Sequence, residues 1–166
     1  MQQPSKFAPV LISSVVMIIL LLFPVLNLIN LICCAGIIIG GASGTYYYAK
    51  QLDKAGQVIQ NKDGIMIGLL SGIISAIIYV IFSTLITMIA KQNPVELVYE
   101  MTQQYGFNIP PETETILKQI KNDYETNGFS FFMIGAQLVS TMVSNCISGP
   151  LGGLLAASMY NKKKNQ

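Results

Sequence analysis

Long uncharged stretches alternate with short charged segments along this chain of 166 residues. No Asp, Glu, Lys or Arg occurs within residues 7–49, 64–90 or 126–161. A membrane-spanning helix takes about 20 predominantly apolar residues, so each stretch is long enough to cross a bilayer and the first is long enough to cross it twice. The pattern predicts an integral membrane protein.

Pro24, Asn27 and Asn30 divide the first uncharged stretch. Proline ends a helix, and the amide side chains can satisfy the backbone groups that a break leaves open. We therefore predict an all-α fold, an integral membrane four-helix bundle that forms a single membrane domain over residues 1–166. The expected spans lie near 7–26, 29–49, 64–90 and 129–160.

The polar segment 93–127 separates the third expected span from the fourth. Asn93-Pro94 is typical of a helix start, and Gly106 is typical of a helix stop. A second amphipathic run ends before Gly128. We expect an extramembrane amphipathic helical hairpin, whose apolar faces lie either on the bundle and the lipid headgroups or on a partner protein.

The distribution of lysines orients this topology, because cytoplasmic loops carry an excess of positive charge. All ten cationic side chains are lysines; the side with the termini and the 50–63 loop has seven, and the side with the 91–128 loop has three. We expect both termini in the cytoplasm and the hairpin outside. A net charge of +2 without a basic patch does not favour nucleic acid as a partner.

Small residues recur at four-residue intervals in three of the expected spans. Such rows lie on one helix face and let helix backbones approach closely. They predict either tight packing inside the bundle or a face for self-association or partner docking. The expected packing residues are Gly36, Gly40, Gly44, Gly64, Gly68, Gly72, Ser144, Ser148, Gly152 and Ala156.

The stretch 30–50 returns in altered form at 145–162. Both copies run from a polar, thiol-bearing start through small residues to a tyrosine and a lysine, an order typical of a membrane helix that ends at a lipid–water boundary. The aligned residues include Gly40-Gly41 with Gly152-Gly153, Cys34 with Cys146, Tyr48 with Tyr160 and Lys50 with Lys162.

The chemical inventory of the chain does not favour catalysis. It has no His, Trp or Arg, and His is both the commonest general base and the commonest metal ligand. No expected span carries Asp, Glu or Lys in its central part, where ion-coupled transporters usually keep such a residue. We expect no catalytic residue, no cofactor and no metal site.

The three cysteines, Cys33, Cys34 and Cys146, allow two interpretations. They are either small buried hydrophobic residues or, since Cys34 and Cys146 occupy matching positions in the repeat, a pair that forms a disulfide.

The intramembrane amides Asn30, Gln137 and Asn145 also allow two interpretations. They either hydrogen-bond between helices or line a polar path for a small solute.

The segment Asn27-Leu28-x-Asn30 is followed by Cys33-Cys34 and Gly40-Gly41, and the third expected span opens with a D-G-x-x-x-G segment at residues 63–68. In these features the first 90 or so residues resemble a group of small bacterial polytopic membrane proteins without an assigned activity. The resemblance implies a location in the bacterial inner membrane.

The leading functional hypothesis is a non-catalytic accessory or structural subunit, which contacts membrane lipid and joins a protein partner or a homo-oligomer. The alternative is a small-solute channel or carrier lined by the intramembrane amides. A membrane enzyme comes third, because no residue stands out as its nucleophile or base.

Overall fold

A computed structural model describes residues 4–22, 34–90, 93–106 and 109–164 of the chain. Helices make up nearly all of this described part, and it contains no strand, so the expected all-α class is confirmed. The helices are α1 (Phe7–Leu22), α2 (Ala35–Lys54), α3 (Asn61–Ala90), α4 (Pro94–Tyr105), α5 (Pro111–Asn127) and α6 (Phe131–Lys164).

Two of these helices, α3 and α6, are long and apolar enough to cross a membrane. The helix α1 is apolar but has only 16 residues, about 24 Å at 1.5 Å per residue, against a hydrocarbon core of about 30 Å. The helix α2 ends in the polar sequence QLDK, which lowers its mean hydropathy. The break expected between the first two spans, with Pro24, Asn27 and Asn30, lies outside the described residues, so the bundle of four spans stays a prediction.

The chain forms two compact units. Unit 1 consists of Met1–Tyr79 and Val139–Gln166, and unit 2 consists of Val80–Leu138. The two long helices contribute to both, with the first part of α3 and the last part of α6 in unit 1. The single membrane domain expected over residues 1–166 stays a prediction.

In unit 1 each helix runs opposite to the one that precedes it in the sequence. Pro9 of α1 lies against Gly44 of α2, and Met17, further along α1, lies against Gly40, which comes earlier in α2. The start of α3 faces the end of α6, where Gly64 lies against Gly153. Consequently one end of unit 1, the basic end, collects seven lysines: Lys6, Lys50, Lys54, Lys62, Lys162, Lys163 and Lys164.

Helices α3 and α6 meet along a glycine seam, which consists of Gly64, Gly68 and Gly72 on α3 and Asn145, Gly149 and Gly153 on α6. A Cβ atom added at any of the five glycines would lie within 3.0 Å of a carbonyl oxygen on the facing helix, closer than real Cβ atoms come. Only glycine permits this approach of two backbones.

The two copies of the sequence repeat lie side by side, because α2 and α6 run in the same direction. Gly41 lies against Gly149, and Thr45, one turn further along α2, lies against Gly153, one turn further along α6. Near the basic end the ring of Tyr160 packs on Tyr46, with the centroids 5.7 Å apart. The aligned residues therefore occupy similar heights, although Tyr160 contacts Tyr46 rather than being paired with Tyr48.

The hairpin of unit 2 has the boundaries that its capping residues predict. Asn93 Oδ1 accepts a hydrogen bond from Val95 N at 3.1 Å, which closes the start of α4. Gly106 and Gly128 follow α4 and α5 with φ angles of 67° and 77°, the left-handed conformation that glycine adopts without strain. The apolar side chains buried in the hairpin include Val95 and Ile120.

Candidate functional site

Unit 1 buries polar side chains and exposes apolar ones. Apolar side chains such as Met17 and Ile67 are buried there too. A core that also holds polar groups, under an apolar surface, suits a body whose exterior lies in hydrocarbon, where polar groups must be satisfied internally. Its buried polar side chains include Ser13, Ser14, Thr45, Asp63, Ser71, Ser75, Asn145 and Ser148. Its exposed apolar side chains on α3 and α6 include Ile65, Met66, Leu69, Leu70, Ile77, Val143, Ile147, Leu151, Leu155 and Met159.

Serine hydroxyls connect three helices in the interior of unit 1. Ser13 Oγ of α1 lies 2.7 Å from Gly40 O of α2 and 2.9 Å from Ser71 Oγ of α3. Ser71 Oγ donates to the carbonyl oxygen of Ile67 in its own helix, at 2.7 Å. These hydroxyls are therefore engaged by the protein itself.

Asn145 performs the same role between α6 and α3. Its side chain is fully buried, and Nδ2 donates to Ser75 Oγ at 3.0 Å and to Gly72 O at 3.3 Å. Its Oδ1 has no hydrogen-bond partner. Because the amide sits between two helices in backbone contact, the observed geometry is that of an interhelical hydrogen bond.

Of the other two amides expected to line a path, the structure describes Gln137. Gln137 belongs to unit 2, where its Nε2 donates to Ser83 Oγ at 3.0 Å. Asn30 lies outside the described residues. In the described part of the chain, each of the two amides is thus bonded to a serine of α3.

Cys34 and Cys146, for which a disulfide is one of the two interpretations, are both free thiols in the structure. Cys34 Sγ instead lies 3.3 Å from Ser144 Oγ. Ser144 and Cys146 are two residues apart on α6 and therefore point about 200° apart around the helix, so a cysteine that faces one does not face the other. Cys33 lies outside the described residues.

The expected packing rows are largely occupied by contacts within the chain. The glycines that lie against a neighbouring helix are Gly40, Gly44, Gly64, Gly68, Gly72 and Gly152. Two further members, Gly36 and Ser148, are buried, and Ala156 is half-buried. Ser144 contacts Cys34. The expected packing residues do not include Gly149 and Gly153, which form the α6 side of the glycine seam with Asn145. The signal was present, since these three residues are also spaced by four.

An ion pair with a buried carboxylate lies at the basic end. Lys6 Nζ lies 2.7 Å from Asp63 Oδ1, and the Asp63 side chain is 3% exposed. Asp63 Oδ2 also accepts from Gln60 N at 3.2 Å, which closes the start of α3 in the manner of a capping box. The ring of Tyr48, fully buried on α2, lies 5.9 Å from Lys6 Nζ. One carboxylate therefore links the beginnings of α1 and α3.

An open groove of about 570 Å³ lies between α2 and α6. We call it the α2/α6 groove, and its lining residues are Ile38, Ile39, Ala42, Ser43, Tyr46, Leu155, Ala156, Met159, Tyr160 and Lys163. Its apolar lining gives way to tyrosine and lysine only toward the basic end.

A second cavity, of about 230 Å³, adjoins the groove at the basic end and shares Tyr46, Tyr160 and Lys163 with it. Asp53 and Lys164 complete its wall and form an ion pair. The hydrogen bond from Lys164, followed by the positive charge of that lysine, lowers the pKa of Asp53 below its ordinary value. Asp53 therefore stays ionised at neutral pH and offsets one lysine charge.

Unit 2 contains a polar cavity of about 420 Å³. Glu96 and Glu125 lie in its wall beside Tyr124, whose pKa is raised by burial. The described residues contain no group of three or more His, Cys, Asp or Glu side chains that could hold a metal ion. The cavity therefore offers two carboxylates and a phenol.

Comparison with known proteins adds no assignment to this geometry. No protein-family model, curated protein or solved structure matches the chain. The functional argument therefore rests on the residues and contacts described above.

Proposed function

We propose that this protein is a small, non-catalytic integral membrane protein that serves as an accessory or structural subunit of a larger membrane assembly or homo-oligomer. The observation that supports this most directly is the organisation of unit 1. Its buried polar side chains and its small-residue rows make contacts inside the unit, whereas the apolar faces of α3 and α6 point outward. Such a protein has apolar outer faces available for contact and an interior filled by its own side chains.

The membrane location has two supports. Two helices are long and apolar enough to cross a bilayer, and the lysines of unit 1 gather at one end. The positive-inside rule favours a cytoplasmic location for that end and for both termini. With the resemblance of the N-terminal half, this favours the inner membrane of a bacterium.

Native mass spectrometry of the protein extracted gently from its own membrane tests the proposal. We expect a defined assembly that is larger than one chain, either with a stoichiometric partner or with further copies of this chain. A bare monomer under extraction conditions that preserve a known complex of the same membrane would contradict it.

The competing hypothesis is a channel or carrier. Liposome flux by the pure protein, abolished by Asn145→Leu, would favour that hypothesis over an accessory role. The hydrogen bonds of Asn145 to Ser75 and Gly72 make a packing role the better supported one.

A further inference from the structure

We propose that the α2/α6 groove is a binding site for one anionic phospholipid, with an acyl chain in the groove and the phosphate at the basic end. The inference rests on the membrane location proposed above. Its starting point is the combination of an apolar lining with lysines at one end only.

The lining of the groove suits a hydrocarbon chain rather than a polar ligand. Away from its mouth it is made of aliphatic side chains and Met159, with one hydroxyl, that of Ser43. Ser43 Oγ donates to Gly40 O at 2.7 Å, so the backbone of α2 already satisfies it. The volume of about 570 Å³ is that of a typical small-molecule site.

The mouth of the groove suits an anionic headgroup. Lys163 lies in its wall, and Lys50 Nζ lies over the ring of Tyr46, 5.1 Å from the centroid. Among the residues that the structure describes, neither of these lysines forms an ion pair with a carboxylate, whereas Lys164 is paired with Asp53. Two uncompensated positive charges therefore remain beside Tyr46 and Tyr160, whose amphipathic rings suit the headgroup level.

The position of the site agrees with the side on which such lipids occur. The basic end is the expected cytoplasmic end, and the cytoplasmic leaflet carries the anionic lipids that attract lysines near the surface. A zwitterionic lipid would fill the groove equally well but would gain less from Lys50 and Lys163. Headgroup charge is thus the property that distinguishes specific binding here.

The experiment is native mass spectrometry of the purified full-length protein titrated with phosphatidylglycerol or with phosphatidylcholine of identical acyl chains. We expect one phosphatidylglycerol to be retained in preference to phosphatidylcholine. Each lysine near the surface contributes a factor on the order of fivefold, so the Lys50→Gln/Lys163→Gln protein should lose most of this preference. The matched control, Lys54→Gln/Lys62→Gln, removes the same charge from the basic end outside the groove and should keep it.

A second pair of variants tests the groove itself. Ala156→Phe fills it and should reduce retention of both lipids, whereas Ala136→Phe, at an exposed position of α6 outside the groove, should not. Equal retention of the two lipids, or equal loss in both lysine pairs, would overturn the proposal. So would an Ala156→Phe protein that keeps the lipid but loses its native assembly, since a partner helix would then occupy the groove.

An alkaline carbonate wash of the membranes separates this inference from the proposed function. A chain that the wash releases is not integral, and the membrane role fails. A chain that stays in the membrane but binds both lipids equally leaves that role intact and removes only the lipid site.

Discussion

Asp63 is the one carboxylate buried in the described part of the chain, and it makes two contacts that compensate for its burial. Lys6 supplies the opposite charge and Gln60 N supplies a hydrogen bond. Asp53 forms its ion pair with Lys164 at a far more exposed site. The substitution of aspartate by asparagine can therefore be compared at a buried position, Asp63, and at an exposed one, Asp53.

Replacing Asp63 with Asn should destabilise the protein, because the side chain keeps its volume and loses the charge that Lys6 compensates. We expect a loss of about 1–3 kcal/mol, limited by the partial exposure of Lys6. The control Asp53→Asn changes a far more exposed pair and should cost clearly less. Chemical unfolding in detergent measures both, and equal losses would show that burial of Asp63 contributes nothing.

Asn145 offers a second prediction for a single residue. Asn145→Leu removes two interhelical hydrogen bonds, and such bonds are worth about 0.6 kcal/mol on average in membrane proteins. A branched side chain beside Gly72 and Gly149 adds crowding, so the expected loss is larger, about 1–3 kcal/mol.

The conservative variant Asn145→Ser isolates the hydrogen bonds from the crowding. It should cost less than Asn145→Leu when both are measured by thermal unfolding in the same detergent. A leucine variant as stable as the wild type would mean that the amide stabilises nothing.

Helices α3 and α6 pack backbone against backbone in unit 1. Their contact depends on backbone surface, because a Cβ at Gly68 would meet Gly149 O, Gly149 C and the nitrogen of Pro150. Backbone atoms cannot move aside as the end of a flexible side chain can. The fit is therefore sensitive to a single methyl group.

Gly68→Ala should destabilise the protein by about 1–3 kcal/mol through overpacking. Gly135→Ala is the matched control, since Gly135 lies in the helix α6 with nothing within 4 Å of an added Cβ. That change should be neutral or should stabilise the helix by roughly 0.5–1 kcal/mol, because alanine loses less backbone entropy than glycine. Thermal unfolding of the two variants measures the change in stability. A change of the same sign in both would refute backbone contact at Gly68.

The hairpin is the element that best suits contact with a partner outside unit 1. Val98 and Met101, one turn apart on α4, are 40% and 56% exposed. Adjacent apolar side chains on the outside of an amphipathic helix are typical of a docking face. They contribute little to folding, so they can be changed without loss of the fold.

Val98→Glu/Met101→Glu should leave the helical content unchanged and should reduce the fraction of protein found in the native assembly several-fold. Gln104→Glu, on the same helix at an exposed polar position, adds a charge without removing apolar surface and should leave assembly intact. Size exclusion and native mass spectrometry of gently extracted protein provide the measurement. An assembly that survives both changes would exclude the hairpin as the docking face.

For the whole molecule, the sequence predicts elements better than it predicts their contacts. Capping residues such as Asn93 and Gly106 act locally, so they place the ends of α4 without any knowledge of the rest of the fold. The pairing of α3 with α6 is different, because α6 carries two interleaved rows of small residues. One row includes Ser148 and Gly152, the other Gly149 and Gly153, and only the packed structure shows which faces α3.

The same limit applies to the site. The apolar lining of the α2/α6 groove comes from residues more than 100 positions apart in the sequence. The ion pair of Lys6 with Asp63 joins positions 57 residues apart. Neither has a local signature, whereas the lysine asymmetry that places the basic end is visible in the sequence because it depends on counts alone.

The glycine seam has a mechanical consequence. Glycines spaced by four on both helices allow α3 and α6 to change register only in steps of about 6 Å, four residues at 1.5 Å each, because any smaller slide drives a carbonyl oxygen against a neighbouring Cα. Asn145 opposes such a change of register, because one step would push its amide onto Gly68 or out of reach of Ser75. Within unit 1 the two helices should therefore resist small sliding movements along the glycine seam.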